Sequence, residues 1–436
     1  MTVENTSQEN ILNKLGIESL NNMQSKAHET ILSEKEVLLF SPTGTGKTLA
    51  FLLPIIQLLD PQSDDIQVLI LVPSRELAIQ IEQVIRSMGS GYKTNAVYGG
   101  KPGAKDKVEL RHAPAILIGT PGRVADHIRR ETINTKTITT LVLDEFDKSL
   151  EVGFETEMKE IINALPALDK KILTSATKRI AIPGFMKMKK PVELNFSKDE
   201  ESKLQLKAVI ARDDKLNTLK ELITHTGSER GIIFCNVKET LHAVSDFFDQ
   251  NSIPHACFYG GLEQVDRERA LIQFRNGTHR LLLSTDLAAR GIDVPEIDFI
   301  IHYEIPPRQA EFTHRNGRTA RMHKHGVAYV LKLYNEKLPG FVNTQGVEEL
   351  QPETSVYQPQ WETVYISGGR KDKISKGDIA GLFMKQGGME KEQLGVIELQ
   401  QDCAYVAVDA SVALDVVKRL NNSKLKKKKV RISLIQ

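Results

Sequence analysis

Short apolar runs recur along the first 200 positions, each closing on a small or polar residue: VLLF (37–40), VLILV (68–72), AILIG (115–119), TLVLD (140–144) and KILTS (171–175). Runs this brief and this continuously apolar fit strands buried on both faces, so they predict a parallel sheet. Between them, Arg75 to Met88 and Phe154 to Leu165 carry helix-like patterns, which gives βα alternation with helices on both sides of the sheet. The charged stretch SKDEESK (197–203) breaks the rhythm, and a second series follows: GIIFC (231–235), ACFYG (256–260), LLLST (281–285), FIIHY (299–303) and VAYVL (327–331). From Glu336 to Gln360 the chain is rich in Pro, Gln and Glu with little periodicity, as an extended connector would be. Beyond it TVYISG, GDIAGLFMK, LGVIEL, AYVAV, SVALDVVKRL and KVRISLI spell a β-α-β-β-α-β unit. The expected α/β architecture is two tandem parallel-sheet domains, 1–200 and 201–340, a linker at 341–360 and a small α+β domain at 361–436.

Composition narrows the class without changing that picture. A length of 436 residues suits about three domains of roughly 100–200 residues each. Hydrophobic residues at 40% and charged residues at 26% are ordinary for a globular chain. The longest apolar stretch, Leu49 to Leu59, is interrupted by Pro54 and Gln57 and falls well short of the ~20 residues a spanning helix needs. The first residues, MTVENTSQEN, lack the basic and apolar segments of a secretory leader, so a cytoplasmic location is expected. Cys235, Cys257 and Cys403 are scattered through apolar runs without metal-ligand spacing, which predicts reduced, buried thiols. The net charge of +2 conceals an asymmetry: residues 361–436 carry 14 Lys and Arg against 9 Asp and Glu, while the rest of the chain is slightly acidic. A basic terminal domain points to an anionic polymer as partner.

The chemistry lies where the predicted strands end, the place where open α/β sheets bind ligands. VLLF runs into SPTGTGKT (41–48) and then into a helix-like apolar stretch, the strand, loop and helix context of a phosphate-binding loop. Ser41, Thr43, Gly44, Thr45 and Gly46 would turn backbone N–H groups toward phosphate, Lys47 would reach the terminal phosphates, and Thr48 would hold Mg²⁺. Ser41 stands where the strict pattern has Gly. TLVLDEFD (140–147) puts two carboxylates at a buried strand end, where charge needs a compensating cation. Asp144 would hold the metal and Glu145 would orient and deprotonate an attacking water. An acidic strand-end turn alone is common; its pairing with the phosphate loop gives it meaning. In the second series STDLAARGIDV (284–294) and HRNGRTAR (314–321) concentrate arginines, with Arg318 and Arg321 suited to neutralise charge on a leaving phosphate. Exposed arginines that merely solvate a loop are the plainer alternative.

With these segments in order, the sequence resembles the DEAD-box RNA helicases over residues 16–335. The resemblance rests on Gln24, SPTGTGKT, VPSRELAIQ (72–80), YGG (98–100), TPGR (120–123), DEFD (144–147), TSAT (174–177), IIFCN (232–236), TDLAARGID (285–293) and HRNGRTAR. It implies RecA-like lobes, ATP and Mg²⁺ as ligands, and RNA as partner. It further implies that Gln24 reads adenine, that Gly291 and Asp293 approach the nucleotide, and that Arg75, Gly100, Thr120, Arg123 and Thr285 lie along the RNA backbone. Ser175, Thr177 and His314 would couple hydrolysis to lobe closure. Two departures stand out: Phe146 occupies the position where the family has Ala, so its ring must find room near the lobe interface, and Ile17 stands where an aromatic residue is common.

Residues 361–436 look like the RNA-recognition-motif-type domain that ends DbpA-type helicases, which implies ribosomal RNA as target and a role in large-subunit assembly. The third strand offers Tyr405 but places Cys403 and Val408 at the other usual stacking positions, so base stacking should be sparse. The run KRLNNSKLKKKKVR (418–431) holds eight cationic residues and no acid, which nominates Lys424, Lys426, Lys427, Lys428 and Lys429, with Arg370, Lys371 and Lys373, for phosphate contacts. A solvated lysine face is the bland alternative. The expected function is an RNA-stimulated ATPase that locally unwinds RNA, acting as a monomer; a nucleotide-binding RNA clamp with weak turnover is the competing expectation.

Overall fold

The computed structural model describes residues 7–42, 44–100, 106, 108–151, 153–176, 182–196, 204–212, 214–286, 297–319, 325–351 and 359–435. The chain forms two compact units that divide at residues 202–203. Among the described residues no helix is long and apolar enough to cross a membrane.

The first unit is a parallel sheet built from β1 (Glu36–Phe40), β2 (Val68–Leu71), β3 (Thr94–Val97), β4 (Ile116–Gly119), β5 (Thr140–Leu143), β6 (Lys170–Ser175) and β7 (Val192–Asn195), in the order β3-β4-β2-β5-β6-β1-β7. Helices α1 (Gln8–Leu15), α2 (Asn22–Ser33), α3 (Lys47–Leu58), α4 (Arg75–Met88), α5 (Pro121–Arg129), α6 (Phe146–Glu151) and α7 (Glu155–Asn163) connect and flank it. Each central strand is buried along its length because apolar clusters pack on both faces, one around Phe51, Leu53, Ile70 and Ile81 and the other around Leu69, Leu117, Leu141 and Leu173. Helix α4 shows how local sequence sets its limits. Ser74 Oγ accepts from Leu77 N at 3.2 Å at the start, and Gly89 stops the helix in the left-handed region at φ +60°.

Phe146 is a correction to the sequence reading. Its ring is buried in the lobe's own core, in a pocket formed with Leu143, Leu150, Met158, Leu173 and Met186. As the first residue of α6 it points back into this apolar layer, where burying an aromatic side chain is favourable by roughly 2–3 kcal/mol.

The second unit opens with another parallel sheet: β8 (Leu204–Ala211), β9 (Gly231–Cys235), β10 (Ala256–Phe258), β11 (Leu281–Thr285), β12 (Phe299–His302) and β13 (Gly326–Leu333), in the order β10-β11-β9-β12-β13-β8. Its described helices are α8 (Lys215–His225), α9 (Lys238–Gln250), α10 (Gln264–Asn276) and α11 (Gln309–Asn316). Part of the extended connector pairs with the second lobe. Gln345 N donates to Leu206 O at 2.7 Å, Ala208 N to Gly346 O at 2.8 Å and Glu348 N to Ala208 O at 2.8 Å, so residues 345–348 line the outer edge of β8. Glu348 adds a 2.7 Å pair with Lys207. Backbone pairing of this kind covers an exposed sheet edge and leaves no side-chain pattern to read.

The same unit carries a small antiparallel sheet of β14 (Trp361–Ile366), β15 (Leu394–Leu399), β16 (Ala404–Asp409) and, after the short hairpin β17 (Lys424–Leu425) and β18 (Lys428–Lys429), β19 (Ile432–Leu434). The order is β15-β16-β14-β19, with α12 (Lys376–Gly381), the π-helical turn Leu382–Gln386 that continues it and α13 (Ala413–Leu420) packed on one face through Ile379, Leu382, Phe383, Val416 and Leu420. Across the other face lies α10 of the preceding lobe. Arg275 grips Glu398 through two 2.8 Å hydrogen bonds, and the Thr278 and Thr363 hydroxyls meet at 2.7 Å in a buried contact.

The cysteines divide. Cys235 is buried, and desolvation pushes its thiol up to about 12, whereas Cys257 and Cys403 are only partly buried. All three are free thiols, and Cys403 lies just ahead of β16 rather than within it.

Candidate functional site

In the first lobe, register brings three separate segments to one level. Phe40 pairs with Ser175 and Leu143 with Leu173, so the strand ends that launch SPTGTGKT, DEFD and TSAT stand side by side. The loop after β1 turns through Gly44 at φ +87° and Gly46 at φ +85°. A side chain at Gly46 would be strained at that φ and would displace the Gln24 amide, since a Cβ there would sit 2.4 Å from Gln24 Nε2. Gln24 Nε2 donates to Gly46 O at 3.3 Å while its Oε1 accepts from Asn21 N at 3.0 Å, and Asn21 Nδ2 donates to Thr45 O at 3.1 Å. The glutamine is thus fastened to the phosphate loop. Ser41 is buried and its hydroxyl lies 2.7 Å from that of Thr45. Lys47 opens α3, and its ammonium donates to Ser41 O at 2.5 Å and Pro42 O at 2.7 Å, so the loop's own carbonyls hold the cation at the mouth of the turn. Thr48 follows in the first turn of the helix, and Thr43 lies outside the described residues.

Asp144 is 3% exposed and takes a short hydrogen bond from the Thr174 hydroxyl. Burial first, and the neighbouring Glu145 charge next, push its carboxyl up to about 6 against the pull of Thr174 and Lys47. Glu145 is held at φ +50°, in the left-handed region, with its N–H donating to Asp144 Oδ1 at 3.1 Å and Thr174 Oγ1 at 3.3 Å. Its side chain therefore leaves the strand in a direction distinct from that of Asp144. Ser175 is fully buried, with its carbonyl accepting from Ser41 N at 3.1 Å; Thr177 lies outside the described residues.

The neighbouring strand ends hold a second group. Arg75 starts α4 and lays its guanidinium over Gly99 and Gly100; at Gly100, φ +84°, a Cβ would approach Arg75 Nη1 to 2.5 Å. Thr120 is buried at the start of α5. Arg123 is engaged within the lobe: its guanidinium donates to the buried Asp106 at 2.7 and 2.9 Å and to Asp126 at 3.2 Å. Nothing in the sequence marks Asp106 as that partner, because the two residues meet only across the fold.

In the second lobe, Thr285 ends β11, and α11 carries His314, with Arg318 buried just beyond its end. Gly291, Asp293 and Arg321 lie outside the described residues. Arg315, which the motif alone does not single out, is the largest fully buried side chain among the described residues. It joins Asp286, Asn236 and the Glu304 carbonyl, all at strand ends. Next to it His302 is fully buried between Phe312 and Phe234, within reach of Asn316 Oδ1 at 2.9 Å. Desolvation, and then the Arg315 charge, lower its pKa to about 3, well below the ordinary 6.5. An unfolded His302 binds a proton below pH 6.5 while the folded one does not until about pH 3. Its contribution to stability is intact above pH 6.5 and is lost as pH falls, by roughly 2 kcal/mol at pH 5. Denaturant midpoints measured from pH 7.5 to 5 should fall in the wild type and fall less in His302→Asn; equal slopes would refute the assignment.

In the C-terminal domain the lysines separate into two sets. Lys426 pairs with Asp378 at 3.0 Å and Lys428 with Asp372 at 2.7 Å, so these two, expected to contact phosphate, are held by the domain's own carboxylates. Lys371 likewise pairs with Asp402 at 2.5 Å. Lys424, Lys427 and Lys429 are exposed on the hairpin, as are Arg370 after β14, Lys376 at the start of α12 and Lys373, which sits at φ +59°. Tyr405 is only 4% exposed under α10, so it offers no open stacking face. Tyr365, which sequence reasoning passed over, lies beside it with ring centroids 5.7 Å apart and is the more open of the two.

Comparison with known proteins agrees with this arrangement. The DEAD/DEAH box helicase model matches residues 21–181, the helicase conserved C-terminal domain matches 214–323, and the DbpA RNA binding domain matches 363–434. The chain is 31% identical over 441 residues to the ATP-dependent RNA helicase DbpA of Escherichia coli strain K12, covering 98% of this chain and 96% of that one. It is 29% identical to the protein of the same name from Bacillus subtilis strain 168, covering 97% and 96%. Among solved structures, S. cerevisiae Dbp5 bound to RNA and ADP BeF3 superimposes with a TM-score of 0.67 at 25% identity, over 76% of this chain and 88% of that one. Mss116p bound to ssRNA and AMP-PNP does so with a TM-score of 0.67 at 26% identity, over 76% and 74%.

Proposed function

The chain belongs to the DEAD-box family of ATP-dependent RNA helicases, RNA-dependent ATPases built on two RecA-like lobes, and from that premise we propose that it remodels ribosomal RNA during large-subunit assembly. The observation that carries the chemistry is the meeting of Lys47, Asp144 and Glu145 beyond the ends of β1 and β5, the two strands that flank β6, beside the Gln24-fastened loop. What supports the ribosomal target is the likeness of residues 363–434 to the RNA-binding domain of DbpA-type proteins.

In this reading Gln24 fixes the adenine edge, and Ser41, Thr43, Gly44, Thr45 and Gly46 cradle the phosphates. Lys47 exchanges its two loop carbonyls for terminal phosphate oxygens. Glu145 accepts the proton of the attacking water, and its backbone tether to Thr174 and Asp144 keeps the carboxylate aimed. Mg²⁺ is characteristically held by one or two carboxylates, substrate phosphates and waters, and Asp144 with Thr48 is a donor set of that kind. When bound, the ion would neutralise phosphate charge. Gly291, Asp293, Arg318 and Arg321 complete the nucleotide site from the second lobe. Arg75, Gly100, Thr120, Arg123 and Thr285 follow the RNA backbone, and Ser175, Thr177 and His314 link the two. Arg123 must then trade Asp106 for phosphate or act by positioning α5. The C-terminal domain supplies the address and the lobes supply the work. With Phe146 seated in the core of the first lobe, its substitution gives no reason to expect a weakly hydrolysing clamp.

The test is ATP turnover by the full chain with no nucleic acid, generic RNA, ribosomal RNA, and DNA of the same sequence. Turnover raised most by ribosomal RNA is the expected result. Equal stimulation by any RNA removes the ribosomal target, and no stimulation by RNA removes the proposed motor.

A further inference from the structure

A carboxylate withdrawn from solvent is costly unless a cation meets it, and Asp106 of the first lobe, at 0% exposure, is met by one face of α5. Arg123 donates to its Oδ2 from both Nε, at 2.9 Å, and Nη2, at 2.7 Å, and His127 Nε2 stands 3.3 Å from the same oxygen. Arg123 Nη1 reaches on to Asp126 at 3.2 Å, and Asp126 in turn takes Arg130 Nε at 2.7 Å. His127 Nδ1 is tied to the Thr132 hydroxyl at 2.7 Å. Arg123, Asp126, His127 and Arg130 follow the spacing of one helical stripe, so a single side of α5 and its C-cap carries the whole cluster.

The start of α5 is open by contrast. Thr120 is the N-cap residue but its side chain makes no capping hydrogen bond, Pro121 brings no N–H, and a Cβ added at Gly122 would meet nothing within 4 Å. The partial positive charge of such a helix end suits a phosphate. Arg123 is the third residue of that same turn, and its side chain, 16% exposed, is engaged with Asp106 and Asp126.

We propose that Asp106 is a positioning residue for RNA binding: by gripping Arg123 it fixes the first turn of α5, and with it Thr120, at the angle at which the helix end meets the RNA backbone. The inference rests on the reading of the chain as an RNA-dependent ATPase whose first lobe follows RNA through Arg75, Gly100, Thr120 and Arg123. Arg123 then acts through α5. Three charge-assisted hydrogen bonds from one planar guanidinium set its orientation as well as its place. Asp106 also lies a short way along the chain from Gly100, over which Arg75 is laid, so one ion pair joins the two stretches assigned to the RNA backbone.

The experiment titrates an unstructured RNA against ATP turnover by the full chain. Asp106→Asn keeps the shape of the side chain and removes its charge. It should raise the RNA concentration for half-maximal turnover about 10-fold while turnover at saturating RNA stays within about twofold, because binding lost equally from ground and transition states moves KM and not kcat. Asp126→Asn removes only the more exposed partner and should shift that concentration by less than about threefold. Arg123 left buried without Asp106 can unfold the lobe, so the paired variant Asp106→Asn/Arg123→Met is compared with Arg123→Met alone. Their RNA dependence should be the same, since the carboxylate acts through the guanidinium. The inference is overturned if a folded Asp106→Asn, judged by its thermal midpoint, needs no more RNA than the wild type or loses turnover at saturating RNA instead. A paired variant weaker than Arg123→Met by a further factor of about 10 overturns it too. Wild-type turnover that RNA does not raise would sink the helicase reading and this one with it, whereas a stimulated wild type matched by Asp106→Asn would sink this one alone.

Discussion

Glu145→Gln should lower RNA-stimulated ATP turnover by about 10³-fold while ATP affinity changes by less than about threefold. A positioned general base is typically worth 10² to 10⁴ in rate, and glutamine keeps the shape of glutamate without its capacity to take a proton. The exchange is clean at this position for two further reasons. Glu145 sits at φ +50°, a strain that glutamine shares, and its backbone N–H bonds to Asp144 and Thr174 do not involve the side chain. Removing its charge also relieves one of the two causes that hold the Asp144 carboxyl near 6, so Asp144 becomes easier to ionise and its capacity to hold Mg²⁺ is not impaired. Single-turnover phosphate release in saturating RNA, alongside fluorescent-nucleotide binding, checks both halves. A variant that retains a tenth of the wild-type rate would remove Glu145 from the chemistry.

Arg315→Ala should destabilise the second lobe by about 3–5 kcal/mol, the cost of removing one partner from a buried ion pair. Its guanidinium, 1% exposed, meets Asp286 through Nε at 2.6 Å and Nη2 at 2.5 Å, the Glu304 carbonyl at 2.6 Å and Asn236 Oδ1 at 2.7 Å, and stacks over Phe234 at 5.1 Å. These partners follow β9, β11 and β12, so one side chain ties three strand ends together beneath the helix that carries His314. Arg315→Lys keeps the charge but not the planar fork and should lie between alanine and wild type. Hydrogen exchange of the β9 and β12 amides, read with the denaturant midpoint of the second lobe, measures the effect. Protection unchanged in the alanine variant would contradict the network.

Both predictions draw on residues whose significance the sequence showed unequally. Glu145 and Asp144 were legible because they are adjacent in the chain and follow an apolar strand, and Lys47 and Gly46 because a phosphate loop is one contiguous segment. The central strands were legible because burial on both faces demands unbroken apolar runs. In the two parallel sheets the strands missed, β3, β7 and β8, are all edge strands, and in β3 and β7 the buried Thr94 and Asn95 and the exposed Glu193 interrupt the apolar run.

What the sequence determined by itself was therefore everything carried by neighbours along the chain: the βα alternation, the phosphate loop, the acidic pair and the basic terminal domain. Tertiary structure alone decided which distant residues share a charge. It gave Arg123 to Asp106, Arg315 to Asp286, Lys426 and Lys428 to Asp378 and Asp372, and it turned Phe146 into the core. It also laid α10 over Tyr405 while leaving Tyr365 open. The physical reason is that electrostatic and packing partners are chosen by distance in space, through the 1/r dependence of charge interaction and the contact range of dispersion, and spacing along the chain encodes that distance only within a single helix, strand or turn.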